Sequence, residues 1–211
     1  MTPEEHPGPA ARDVAGTLVA ALPRIRELHG RTVVVVAGHH VLADEGLRHA
    51  FCGDIGFLRY SGVRAVLVHD GGPHLPAWLD GDPAALRTHV AGHVQRGLVG
   101  SLNEHTTLAV GLTGEDGRTL EVGGGGDVRV DPGVLRVFLD SGRIPVVSSI
   151  AYGQDGGIRH LAAAPAAAAL AEALDAALVL PAEDAQAGPP SAAFVDMAVP
   201  HAVLRHLHRL R

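Results

Sequence analysis

The chain has 211 residues, 46% hydrophobic and 19% charged, with a formal net charge of -6. That length fits one large α/β domain with enough chain to bury a substantial core, and the composition excludes disorder over most of it. No apolar run approaches the roughly 20 residues of a bilayer span, and the acidic balance leaves no basic footprint for nucleic acid. Cys52 is the single cysteine, so no internal disulfide forms. Residues 1–12 carry Pro, Glu and His in place of a basic stretch and an apolar core. No secretory leader is expected, and the cytoplasm is the expected compartment.

Lys is absent, and all 17 residues of the Lys-plus-Arg count are Arg. The chain therefore offers no ε-amine for a Schiff base and no lysine for a phosphate loop. It also carries 14 His, the side chain that titrates nearest neutrality.

Residues 1–12 read as a flexible lead-in marked by Pro and Gly. From 13 to 28, Val14, Leu18, Leu22, Ile25 and Leu28 recur at helical spacing. They predict an amphipathic helix that Pro23 kinks or divides. Residues 32–36 are a β-branched run suited to a buried parallel strand. A helix over 42–60 leads to a second buried strand over 64–68, stopped by Gly71, Gly72 and Pro73. One helix is predicted over 84–105, a strand over 108–112, and a loop or hairpin end at Gly123 to Gly126. A helix over 132–141 opens with Pro in its first turn, and 144–150 reads as another buried strand. An Ala-rich helix over 165–176 precedes a strand over 177–180, then a Pro- and acid-rich linker over 181–192. A short strand over 194–197 and a helix from Pro200 close the chain. This alternation predicts an α/β fold, a three-layer α/β/α sandwich around a mostly parallel sheet. Its parts are the lead-in 1–12, a helix within 13–30, an α/β body over 31–180 and a linker with strand and helix over 181–211.

Several segments, in order, resemble the amino-acid kinase family in its acetylglutamate kinases. They are residues 22–34, 47–73 with the ending Val68-His69-Asp70-Gly71-Gly72-Pro73, 109–117, 132–135, 142–147, 194–196 and 199–204. The resemblance implies transfer of the ATP γ-phosphoryl to a carboxylate, which relies on positioning and on positive charge around the phosphates. The chain departs from that pattern where the charge is needed. The family's first-strand Lys position is Val36, and the Gly pair after it is Gly38-His39. Asp70 replaces the first glycine of the second glycine loop, setting a carboxylate where backbone amides meet anions. The family's Asn-x-Asn-Ala-Asp segment reads His160-Leu161-Ala162-Ala163-Ala164. A long stretch with a second Lys is replaced by the linker after 177–180. The expectation is therefore a diverged member without ATP-dependent transfer and with no ATP bound.

His39 and His40 after the first strand, Asp70 after the second and His160 near the third converge on the carboxyl edge of such a sheet, where ligands collect. They are the candidate catalytic residues for acid–base chemistry. His39, Asp70 and His160 are candidate ligands for a divalent transition metal. The alternative for this group is drift of an unused loop. His69 is weaker evidence, since the family also carries it. Gly71, Gly72, Arg87 and Asn103 are the candidate substrate-binding residues, with Arg87 suited to a bidentate carboxylate contact. His89 and His93 share a helix face and read as solvated. His201, His206 and His208 read as surface residues, and Cys52 as a core thiol. The expected partner is a small carboxylate or amino-acid-like ligand, with no nucleic acid and no membrane, in a homodimer or larger even oligomer. The alternative is a non-catalytic pseudokinase that binds an amino acid or regulates a partner enzyme.

Overall fold

In the computed structural model, which describes residues 9–72 and 82–206, six strands form a parallel sheet between two helical layers. The chain enters through α1 (Pro9–Leu28), then β1 (Thr32–Val36), α2 (His39–Ala43), α3 (Glu45–Tyr60) and β2 (Arg64–His69). Next come α4 (Pro83–Arg87), a π-helical turn (Thr88–Val94), α5 (Gln95–His105) and β3 (Ala109–Thr113). Then follow β4 (Leu120–Val122), β5 (Val128–Val130), α6 (Gly133–Asp140), β6 (Ile144–Ser148), β7 (Ile150–Gly153) and β8 (Ile158–His160). The last elements are α7 (Ala163–Leu174), β9 (Ala177–Pro181), β10 (Ala193–Val195) and α8 (Ala202–Arg205).

The main sheet runs β10-β9-β1-β2-β6-β3, and every pairing in it is parallel. Strand periodicity sorts the core onto its two faces. Val33, Val35, Ala65 and Leu67 join Phe51, Ile55, Leu98 and Leu102 of α3 and α5. Val34, Val36, Val66 and Val68 join Leu135 and Leu139 of α6 and Leu170 of α7. Burial of each such aliphatic side chain contributes roughly 1.5–3 kcal/mol before chain entropy is subtracted. A second sheet, β5-β4-β7-β8, stands at one end. Ser149 is the joint between the sheets: its N–H donates to the His69 carbonyl and its Oγ to the Leu161 carbonyl.

The three-layer parallel fold matches expectation, and several boundaries do not. The helix expected from 13 begins at Pro9 and runs through Pro23 to Leu28. The 42–60 helix is two helices, because Asp44 leaves the helical conformation and caps α3, its Oδ1 accepting from the Leu47 N–H at 2.8 Å. The single strand expected over 144–150 divides at Ser149 and serves both sheets. The linker over 181–192 holds a short 3-10 turn at Ala182–Asp184, and the lead-in is helical from Pro9. Pro73 and His208 lie outside the described residues. No helix among the described residues is long and apolar enough to cross a membrane.

Candidate functional site

The strand order turns at β1, which has β2 on one side and β9 on the other, so a crevice opens over their carboxyl ends. Gly38 makes this junction tight: a Cβ there would lie 2.7 Å from Pro181 Cγ and 3.3 Å from Glu183 Oε1. His39 and His40 follow in the first turn of α2, both exposed, their rings edge to face with centroids 5.4 Å apart. At the end of β2, Asp70 turns back on its own loop, and its Oδ1 accepts the Gly72 N–H at 2.8 Å. Gly72 has φ +70°, a conformation that favours glycine. The Asp70 carboxylate thus occupies an amide that an anion would otherwise use. Asp184 lies within electrostatic reach of Glu183 and Asp70; burial pushes its carboxyl above the usual range, and those two negative neighbours push it further.

Beneath that loop, His69 and Ser148 face each other in register across β2 and β6, both fully buried. His69 Nδ1 donates to the Asp70 carbonyl at 2.7 Å. A carbonyl only accepts, so in the neutral ring Nε2 carries the lone pair. Among the described residues Nε2 has no hydrogen-bond partner, and neither has Ser148 Oγ. Burial pushes the His69 pKa down to about 4, against the Asp70 carbonyl and carboxylate, which favour the proton, while His160 opposes it. His160 ends β8, half-buried, and is thereby gathered with His69 and Asp70 at one edge. Among the described residues no group of three or more His, Cys, Asp or Glu side chains is placed to hold a metal ion. The expected metal set His39, Asp70 and His160 is therefore not assembled: α2 begins at His39 and leaves its ring exposed, while the Asp70 carboxylate is bound to its own loop.

A cavity of about 280 Å³ opens beside Gly71 and Gly72, lined also by Leu42, Arg48, His89 and His93. Arg48 reaches it from α3, held by its Nε on Ser101 Oγ at 3.3 Å. The imidazoles come from the π-helical turn, where the Gln95 N–H reaches the Val90 carbonyl, five residues back. His89 Nε2 donates to the Gly71 carbonyl at 3.2 Å, and His93 Nδ1 to the Thr88 carbonyl at 2.9 Å. Both were expected on a solvated face; His93 is exposed and His89 half-buried, and both line the cavity. Sequence spacing placed them on one face, but which way that face pointed depended on the π-helical winding, which carries no simple sequence mark.

Other expected residues have partners within the chain. The Arg87 guanidinium grips Glu115 with two parallel bonds, Nε to Oε2 at 3.0 Å and Nη2 to Oε1 at 2.6 Å, so the carboxylate it holds is internal. Asn103 brackets the Ala109 backbone, donating to its carbonyl at 3.3 Å and accepting its N–H at 2.8 Å, which anchors the start of β3. His201 is exposed, as expected of a surface residue, and its Nδ1 lies 2.8 Å from Oδ1 of the fully buried Asp54. Asp54 Oδ2 also accepts the Val203 and Leu204 N–H groups at 3.1 and 3.2 Å, fastening α8 to α3. Burial pushes the Asp54 carboxyl up, and the bonds from His201 and the two amides pull against it. Cys52 is buried as expected, its thiol pushed up to about 12 by burial.

A parallel sheet with a glycine turn after its second strand, a small cavity against that turn and a second sheet at its end define a three-layer α/β protein with a crevice at its strand ends. The chain belongs to the amino acid kinase family, which it matches over residues 31–186. It is 42% identical to the acetylglutamate kinase of Streptomyces griseus, covering 77% of this chain and 62% of that one. It is 41% identical to the acetylglutamate kinase of a Nocardioides species, covering 79% and 64%. The chain thus spans less than two thirds of the length of these relatives. Among solved structures, N-acetylglutamate synthase from Neisseria gonorrhoeae, complexed with coenzyme A and N-acetyl-glutamate, aligns with a TM-score of 0.63. That match has 23% identity over 82% of this chain and 50% of the other. An isopentenyl phosphate kinase aligns with a TM-score of 0.55 and 14% identity over 71% and 72%. Both likenesses are of fold.

Proposed function

We propose that this acetylglutamate-kinase-like chain binds a small amino-acid-like carboxylate beside Gly71 and Gly72 and does not by itself transfer phosphoryl from ATP. The observation that carries the reading is the split of charge along the carboxyl edge. The cavity at Gly71 and Gly72 is lined by the Arg48 guanidinium, a donor suited to a carboxylate, beside the imidazoles of His89 and His93. The neighbouring ends of β1, β2 and β9 carry Asp70, Glu183 and Asp184 and no lysine, a field that opposes a polyphosphate. His39, His40, Asp70 and His160 have no assigned step in this reading. Calorimetry tests it: N-acetyl-L-glutamate is expected to bind saturably and Mg-ATP not to bind. Absence of acetylglutamate binding would overturn the first half, and tight Mg-ATP binding the second.

The names of the relatives favour a second reading, acetylglutamate kinase activity, on 42% identity over 77% of the chain. Hydroxylamine trapping of an acyl phosphate, from Mg-ATP and N-acetyl-L-glutamate, separates the two readings. Hydroxamate above the protein-free control establishes the kinase; none is expected. A homodimer or larger even assembly, through the helical layer over 84–105, belongs to the same proposal. Light scattering at micromolar concentration checks it, and a monomer refutes it.

A further inference from the structure

We propose that His69 and Ser148 form a buried subsite for one small hydrogen-bond donor, an O–H or N–H lodged between the imidazole Nε2 of one and the hydroxyl of the other. The two residues are register partners at the carboxyl ends of β2 and β6, and neither side chain is exposed. The Asp70 carbonyl, 2.7 Å from Nδ1, fixes the neutral tautomer and leaves Nε2 as an acceptor. No hydrogen-bond partner among the described residues reaches Nε2 or Ser148 Oγ. Two orphaned polar atoms side by side in a native core are costly unless something satisfies both, and buried waters commonly fill that role. An anion is disfavoured at Nε2, where a carboxylate or phosphate oxygen would meet a lone pair with lone pairs. Burial, which holds the His69 pKa near 4, keeps the ring an acceptor at neutral pH. His69 and Ser148 continue the sheet face of Leu67 and Val146, the face on which Leu98 also packs; Leu98 and Gly71 line the cavity beside Gly72. The donor therefore has two sources, a resident water or the N–H of a ligand in that cavity. The second source rests on the functional reading above, and the first does not.

Nitrogen NMR of the histidine rings in the full chain tests this, with a high-resolution crystal structure of the free protein beside it. The expected result is an Nε2 signal of His69 shifted as for an acceptor that receives a hydrogen bond, with density for one atom within bonding distance of Nε2 and Ser148 Oγ. N-acetyl-L-glutamate, which has an amide N–H, and glutarate, which has none, are then added in turn. A shift with the first alone assigns the donor to the ligand. No shift with either, on a hydrogen-bonded Nε2, assigns it to water. If calorimetry shows that neither compound binds, the cavity reading fails while a hydrogen-bonded Nε2 still supports the subsite. A bare lone-pair signal in every state, or density showing Ser148 Oγ rotated directly onto Nε2, overturns the proposal.

Discussion

Lowering the pH should weaken this fold through His69 in a measurable way. The ring is fully buried, with its ordinary value of 6.5 pushed down to about 4. The unfolded chain takes up the proton near 6.5, while the folded protein resists it until about 4. Between those two values the unfolded state binds more protons, so stability is complete above the upper one and falls as the pH drops toward the lower. At 1.36 kcal/mol per pK unit the loss from this one group is about 3 kcal/mol, a large part of a typical domain's 5–15 kcal/mol. The assay is urea denaturation followed by circular dichroism from pH 7.5 to 4, on the parent and on His69→Asn. Asn keeps a donor for the Asp70 carbonyl and cannot titrate. The other histidines and the carboxylates titrate in both proteins, so the difference between the two curves isolates His69. Parallel curves would refute the argument, as would a His69 ring signal that titrates near 6.5.

Three further outcomes are expected. Asp54→Asn should cost about 3 kcal/mol in denaturation, because a buried carboxylate that holds His201 and two amides of α8 is replaced by a group that cannot accept at both oxygens; a loss under 1 kcal/mol would contradict it. Asn103→Ala should lower stability by about 2 kcal/mol, since the Ala109 backbone loses both its bonds, while the affinity for N-acetyl-L-glutamate stays unchanged. A tenfold loss of affinity would restore Asn103 to the binding site. Arg48→Met should weaken that affinity by about tenfold or more, as expected for loss of a charge-assisted contact, and calorimetry with an unchanged constant would remove Arg48 from the cavity's function.

Much of the scaffold was legible because its physics is local. The β-branched run at 32–36 and the apolar run within 64–68 were expected as buried strands, and both are. Gly38, Gly71 and Gly72 marked the turns at the carboxyl edge. The site was harder to read, because its contacts join residues far apart in sequence. Nothing near Asn103 announced that its amide would bracket Ala109, or near Arg87 that Glu115 would take its fork. Asp54 and His201 stand 147 positions apart, and either alone looks ordinary. His69 was discounted as a residue the family shares, yet its isolation at the base of the turn follows from its place as the last residue of a buried strand. His39, Asp70 and His160 are not grouped as metal ligands for a related reason. Nearness to strand ends set where His39, Asp70 and His160 begin, and local turns set where their donor atoms point.

The π-helical turn at Thr88–Val94 makes the length of this segment as constrained as its composition. Along an α-helix each residue advances the chain by about 100°. Removing one residue between Thr88 and Val94 would let the winding relax to the α form and rotate everything upstream relative to α5. His89 would leave the Gly71 carbonyl, and Arg87 would swing away from Glu115. Over these seven residues a change of count is expected to disturb these contacts more than a change of letters.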